Sequence, residues 1–156
     1  MAIIREYKPQ LEENGLMLMN ESGCFRPDAV KINSAIDAVK VLEAIGLRTE
    51  AEENFVVVCM NARGKVIGFF RNSCGNASAC GASTRETLKK VLLLNAVSVI
   101  IAHNHPGGSS NPSREDNELT QAFKTAFDAV GIKMLDHVII PAYSYDYYSF
   151  AENGEI

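Results

Sequence analysis

The run Val97-Ser-Val-Ile-Ile-Ala102 restricts the architecture of this chain more than any other stretch. It is short, β-branched and broken only by Ser98, so as a strand it has no face to give to water and needs a sheet covered on both sides. The cover must come from helices, and amphipathic segments flank the run. Ahead of it, Ser83-Thr-Arg-Glu86 has the capping-box pattern of a helix start and leads into Leu88, Val91, Leu92 and Asn95. Behind it, Leu119, Ala122, Phe123, Ala126, Phe127 and Val130 fall on one helical face that Gly131 ends. A further helix is expected from Ser34 to about Leu47, where Ile36, Val39, Leu42 and Ile45 recur every three residues behind a capping serine. Phe55–Met60 and Val66–Phe70 read as a hairpin around Asn61-Ala-Arg-Gly64-Lys65, preceded by an acidic connector from Thr49 to Asn54. Met134–Ile140 reads as a strand, Pro141–Asp146 as a turn and Tyr147–Phe150 as a last short strand. Strands alternating with helices indicate an α/β (α+β) domain built on a mixed sheet.

The 156 residues, 47% of them apolar, fit one core. Residues 34–156 are expected to form the domain. Residues 1–33 read as an N-terminal arm, because Pro9, Gly15, Gly23 and Pro27 break any period. Asn72 to Ala82 is a loop of Gly, Ser, Ala and Cys. With 15 Lys+Arg against 19 Asp+Glu the net charge is 15 − 19 = −4, so no basic field holds a phosphate backbone, and nucleic acid is not expected as a strong direct ligand. The opening twenty residues carry Arg5, Glu6, Lys8, Glu12 and Glu13, and no later stretch approaches roughly 18 apolar residues, which points to a soluble, cytoplasmic protein with no membrane contact. Cys24, Cys59, Cys74 and Cys80 include no C-x-x-C pair and read as reduced thiols.

The chemistry concentrates just after the buried run, in His103-Asn-His-Pro-Gly-Gly-Ser-Ser-Asn-Pro-Ser113, which reads as a loop leading into a helix. His103 and His105 at a strand end project to the same face, which is metal-ligand spacing. Asp116 follows across a segment with Pro106, Gly107, Gly108 and Pro112 that can turn back, and it offers a third, hard ligand. Two imidazoles and a carboxylate match a catalytic zinc site that keeps one position for water. Ser113-x-x-Asp116 is also a helix-start pattern, so both residues can instead satisfy free backbone N–H groups, and the residue types alone leave the two readings open.

The segment His103-Asn-His105-Pro106 with Pro112-Ser113-Arg-Glu-Asp116 resembles the signature of the JAMM (MPN/JAB) metalloproteins, closest to their RadC-like branch. The resemblance extends to Glu53-Asn54-Phe55, Arg85-Glu86, Asn95-Ala96, Gly131-Ile132, Leu135-Asp136-His137 and Tyr148-Ser149-Phe150. It implies a JAB/MPN architecture, similar to that of cytidine deaminases, and a zinc-dependent hydrolase in which metal-activated water attacks a peptide, isopeptide or related amide bond. His103, His105 and Asp116 would hold the zinc, Glu53 would shuttle the proton of the attacking water, and Ser113 would stabilise the oxyanion. Iron or manganese would suit the same ligands. A peptide or protein substrate follows from that activity. The alternative is a non-catalytic scaffold or DNA-repair-associated module that binds protein partners. A phosphodiester or nucleobase amine as the target bond ranks last, for want of a C-x-x-C half-site and a basic surface. His137, alone in a strand, reads as a hydrogen-bonded core or near-site residue and not a ligand. Where RadC-like proteins carry His-Pro before the Arg-Glu pair, this chain has Ser83-Thr84, and residues 1–33 lack the Gly-hairpin pattern of the DNA-contacting region in longer members.

Overall fold

A computed structural model describes residues 3–26, 31–72 and 83–156. The Cys74 to Ala82 segment of the small-residue loop, with Cys80, lies outside them, as does Pro27. Strands β1 (Ile4–Leu11), β2 (Met17–Phe25), β3 (Phe55–Met60), β4 (Val66–Asn72), β5 (Ser98–His105), β6 (Lys133–Pro141) and β7 (Tyr148–Ser149) form one mixed sheet in the order β2-β1-β4-β3-β5-β6-β7. Helix α1 (Ala35–Ala44) covers one face, and α2 (Thr84–Leu93) and α3 (Arg114–Ala129) serve the other. The expected α/β architecture on a mixed sheet is the one observed. Among the described residues no helix is long and apolar enough to cross a membrane.

Alternation along β3 makes the two layers. Val56, Val58 and Met60 pack with Val39, Val41 and Leu42 of α1, while Phe55, Val57 and Cys59 pack with Val91 of α2 and Phe123 and Phe127 of α3. The strand β5 pairs antiparallel with β3 and parallel with β6, so it lies in the middle of the sheet and is buried on both faces. Its side chains alternate in the same way: Val99 and Ile101 lie with α2 and α3, Ile100 and Ala102 with α1. This parity sends His103 and His105 to the α3 face and Asn104 to the other. The β5–β6 register slips by one between Met134 and Asp136, a bulge at Leu135. Strict alternation from Met134 would have turned His137 toward α1; the extra residue turns it toward α3.

Several details depart from the sequence reading. The strand β5 runs on through His105, where a loop was expected from His103, because Ile139 and Pro141 of β6 keep pairing with it. In α1 the buried positions are Ala35, Ala38, Val39, Val41 and Leu42, while Ile36 faces water, so small alanines fit against the sheet and the branched Ile36 is turned out. Leu92 of α2 and Val130 after α3 are likewise exposed. The buried stripe of α3 is Asp116, Thr120, Phe123 and Phe127, and Ala122 lies outside it. The last strand covers only Tyr148–Ser149.

The stretch expected as an arm with no period forms the β1–β2 hairpin. Its turn is made by Asn14, whose side chain accepts from the Leu16 N–H at 2.9 Å, and by Gly15 at φ 82. Gly68 of β4 lets β1 approach, since a Cβ there would lie 2.7 Å from the Arg5 carbonyl. The pairing carries no hydrophobic alternation in β1, where only Ile4 is buried, and periodicity had nothing to read.

Candidate metal centre

Two elements bring the predicted ligands together. The strand β5 presents His103 and His105 two residues apart, and the first turn of α3 presents Asp116. The helix start is fixed locally: Ser113 Oγ accepts from the Asp116 N–H at 3.0 Å, and Asp116 Oδ2 accepts from the Ser113 N–H at 2.7 Å, a complete capping box. Ser113 Oγ also donates to Oδ2 at 2.7 Å. The capping reading of this serine and aspartate is therefore met, and it leaves one aspartate oxygen uncommitted to the cap. Oδ2 is engaged by the cap, and Oδ1 faces His103 Nε2 at 3.1 Å.

The ligand atoms of Glu53, His103, His105 and Asp116 lie within 4.8 Å of one another. Both imidazoles point Nε2 inward, 2.9 Å apart, with His105 Nε2 3.6 Å from Asp116 Oδ2 and His103 Nε2 3.6 Å from Glu53 Oε1. The side chains of His103 and Asp116 are nearly sealed, at 3% and 5% exposure, whereas Glu53 and His105 keep 20% and 18%. One side of the cluster is thus open to solvent. The nitrogens and oxygens of this donor set suit zinc, iron or manganese.

Burial opposes the charge on Asp116, but hydrogen bonds from His103 and His105 outweigh it and hold the carboxyl well below the usual range. The same contact with Asp116 raises His105 above its ordinary 6.5, against the effect of burial. A carboxylate that stays ionised beside two imidazoles is the electrostatic arrangement of a cation site.

Residues that the sequence reading passed over hold the cluster. Asn104, fully buried on the opposite face of β5, accepts from the Asn54 N–H at 2.7 Å and donates to the carbonyls of Glu50 and Glu52 at 3.1 Å each. It staples the acidic connector on both sides of Glu53. That connector therefore supplies one carboxylate to the cluster through a side chain lying between the two histidines in sequence. His105 is aimed by its Nδ1–H, which donates to the Ser109 carbonyl at 2.7 Å. His137 is a buried, hydrogen-bonded neighbour of His103 and stands outside the ligand group, as expected for a near-site histidine. Thr120 touches both His137 and the Asp116 backbone; its position four residues after Asp116, one turn along α3, was the signal available in the sequence.

A groove of about 630 Å³ lies between the start of the connector, at Thr49, Glu50 and Ala51, and the turn at Ala142 to Tyr145, with Pro106 on its wall. Arg48 clamps that turn through the carbonyls of Pro141, at 2.8 Å, and Ser144. Tyr143, at φ 59, and Tyr145 stand almost fully exposed on the groove's far wall.

The chain is similar to known proteins over most of its length. Residues 32–155 match the model of the RadC-like JAB domain. A UPF0758 protein of Herminiimonas arsenicoxydans is 36% identical over 142 residues, which cover 90% of this chain and 62% of the relative. Another, from Janthinobacterium sp. (strain Marseille), is 35% identical over 127 residues, 81% of this chain and 55% of the relative. One from Rubrobacter xylanophilus is 41% identical over 102 residues, 65% and 44% respectively. The chain spans about half the length of the curated relatives it matches. The hairpin β1–β2 lies ahead of the matched residues, and the whole candidate centre lies within them. With its family model matched across most of its length and its histidine, aspartate and glutamate side chains converging on one point, this chain belongs to the RadC-like JAB domain family.

Proposed function

We propose that this protein is a zinc-dependent hydrolase that cleaves a peptide, isopeptide or related amide bond with water. The observation that carries the reading is the convergence of Glu53, His103, His105 and Asp116 within 4.8 Å. His103 Nε2, His105 Nε2 and Asp116 Oδ1 would hold the ion, the other aspartate oxygen being taken by the helix cap. When bound, the ion supplies Lewis acidity and lowers the pKa of water toward about 7. Glu53 Oε1, stapled over the cluster by Asn104, takes the proton of the attacking water and returns it to the leaving nitrogen. Ser113, at the lip of the site, is the candidate donor to the oxyanion, for which its hydroxyl must turn away from Asp116 Oδ2. The groove between Arg48 and the two tyrosines reaches Pro106, the residue after His105, and is the place where an extended substrate chain would lie.

A cytoplasmic location belongs to the same proposal. Cys24 and Cys59 are free, and burial pushes the Cys59 thiol up to about 12, so it is chemically inert at neutral pH.

The deciding experiment is elemental analysis of protein purified without chelators or a metal-affinity tag, followed by assay on a panel of peptide and isopeptide substrates. About one zinc per chain is expected in the wild type and none in the His103→Ala, His105→Ala double variant. Glu53→Gln should keep the metal and lose turnover. A wild type that takes up no metal after zinc is added back sinks the reading. Stoichiometric zinc without turnover on any amide would leave a scaffold in its place.

A further inference from the structure

A chain of hydrogen bonds behind the cluster has only one consistent direction. Thr120 Oγ1 lies 2.6 Å from the Asp116 backbone carbonyl, which can only accept, so the single hydroxyl proton of Thr120 is spent there. The same oxygen lies 2.6 Å from His137 Nδ1 and has no second proton to give, so Nδ1 carries the hydrogen and donates. His137 is completely buried, stacked on Phe150 with ring centroids 4.7 Å apart and edge-on to Phe55 at 6.4 Å. An imidazole in that apolar seat is neutral and has one N–H, so its Nε2 is an acceptor. His103 Nδ1, 2.9 Å away, must therefore donate to it. The ring of His103 is then left with Nε2, directed at Asp116 Oδ1, as the only nitrogen through which it can give up a proton and take a metal ion.

We propose that His137, held by Thr120, is a positioning residue that fixes the ring orientation and tautomer of His103 and so sets the affinity of the centre for its metal. This rests on the metal reading above and goes beyond it by assigning roles to two residues outside the ligand set. The device depends on the bulge at Leu135, without which His137 would face α1. It also ties the two ligand-bearing elements together, because the Asp116 carbonyl that anchors the chain belongs to a ligand residue on α3 while His103 sits on β5. Hydrogen-bond partners of metal-bound histidines act in this way generally, and losing one costs about 10- to 100-fold in metal affinity.

The test is zinc affinity of the full chain by competition with a chromophoric chelator, for wild type, His137→Leu, His137→Gln and Thr120→Val. The leucine variant should bind zinc about 10- to 100-fold more weakly. Glutamine, whose amide oxygen can accept from His103 Nδ1–H, should recover part of the loss. Thr120→Val keeps the shape of the site and the ring of His137, and it should weaken binding by less than leucine does; this variant carries the test if His137→Leu does not fold. Imidazole nitrogen spectra of the zinc-loaded wild type should show His103 bound through Nε2 with a hydrogen-bonded proton on Nδ1. Folded variants that bind zinc as tightly as wild type overturn the inference and leave the metal reading intact, as does a loaded His103 bound through Nδ1. A wild type that binds no zinc overturns both.

Discussion

Two buried aspartates, Asp116 and Asp136, stand on opposite faces of the same sheet and are pushed in opposite directions. Asp116, 4% exposed on the α3 side, is desolvated but sits against two imidazoles, which keep it ionised. Asp136, 5% exposed on the α1 side, has burial as its main influence and only neutral donors, the Ser149 hydroxyl at 2.6 Å and the Ala151 N–H at 3.0 Å, so its carboxyl is raised. The difference shows what each face is for. On the α1 side a polar group is tolerated where it caps a turn, and the hydrogen bonds close on themselves. On the α3 side His137, His103, His105 and Asp116 are paired so that their remaining capacity points to one spot.

The strongest way to break that comparison is to remove one large buried apolar side chain from each face. Phe123 on α3 stacks at 5.3 Å on Phe55, whose ring in turn meets His137 edge-on, and Leu42 on α1 is fully buried on the other side. Phe123→Ala should cost about 3–5 kcal/mol and Leu42→Ala about 2–5 kcal/mol in chemical denaturation of the metal-free protein. Only Phe123→Ala should also weaken zinc binding, because α3 carries Asp116. Equal loss of zinc affinity in both would mean that the two faces are not separable.

A smaller effect, about 2–3 kcal/mol, is expected for Asn104→Leu, which removes one acceptor and two donor bonds at a buried position. This side chain belongs to the α1 face yet serves the centre on the other, since it holds the connector around Glu53. Amide exchange at Asn54 should lose its protection while zinc affinity stays near that of wild type. Unchanged exchange at Asn54 would show that other contacts hold the connector.

How much of this the sequence carried depends on the kind of signal. Buried strands, helices and ligand spacing were legible because each has a period: the β-branched run before His103, the two-residue step from His103 to His105, the capping pattern from Ser113 to Asp116. The hairpin β1–β2 was not, because its pairing rests on backbone hydrogen bonds and on room made by Gly68, neither of which leaves a hydrophobic pattern. The orientation of His137 was hidden for a different reason. It depends on a one-residue bulge at Leu135, and side-chain facing beyond a bulge cannot be counted from the strand's start. Asn104 and Thr120 were lost among more conspicuous neighbours, since each is defined by its partners in space.

The finest discrimination between the two aspartates is their response to pH. Because the folded pKa of Asp136 is raised, the native state holds its proton more tightly than the unfolded chain, whose carboxyl titrates near 3.9. Its ionisation therefore costs stability above the folded pKa, and that cost is relieved as pH falls through it. Asp136→Asn removes the titration while its amide oxygen can still accept from the Ala151 N–H. Urea midpoints of wild type and variant, measured on metal-free protein from neutral pH downward, should shift relative to one another in favour of the wild type as the medium becomes more acid. For Asp116 the sign is opposite: its folded pKa is depressed, so the stability it contributes is present above the unfolded value and is lost on acidification. A constant gap between wild type and Asp136→Asn would mean that Asp136 titrates as it does in the unfolded chain, and the contrast between the two faces would then rest on the imidazoles alone.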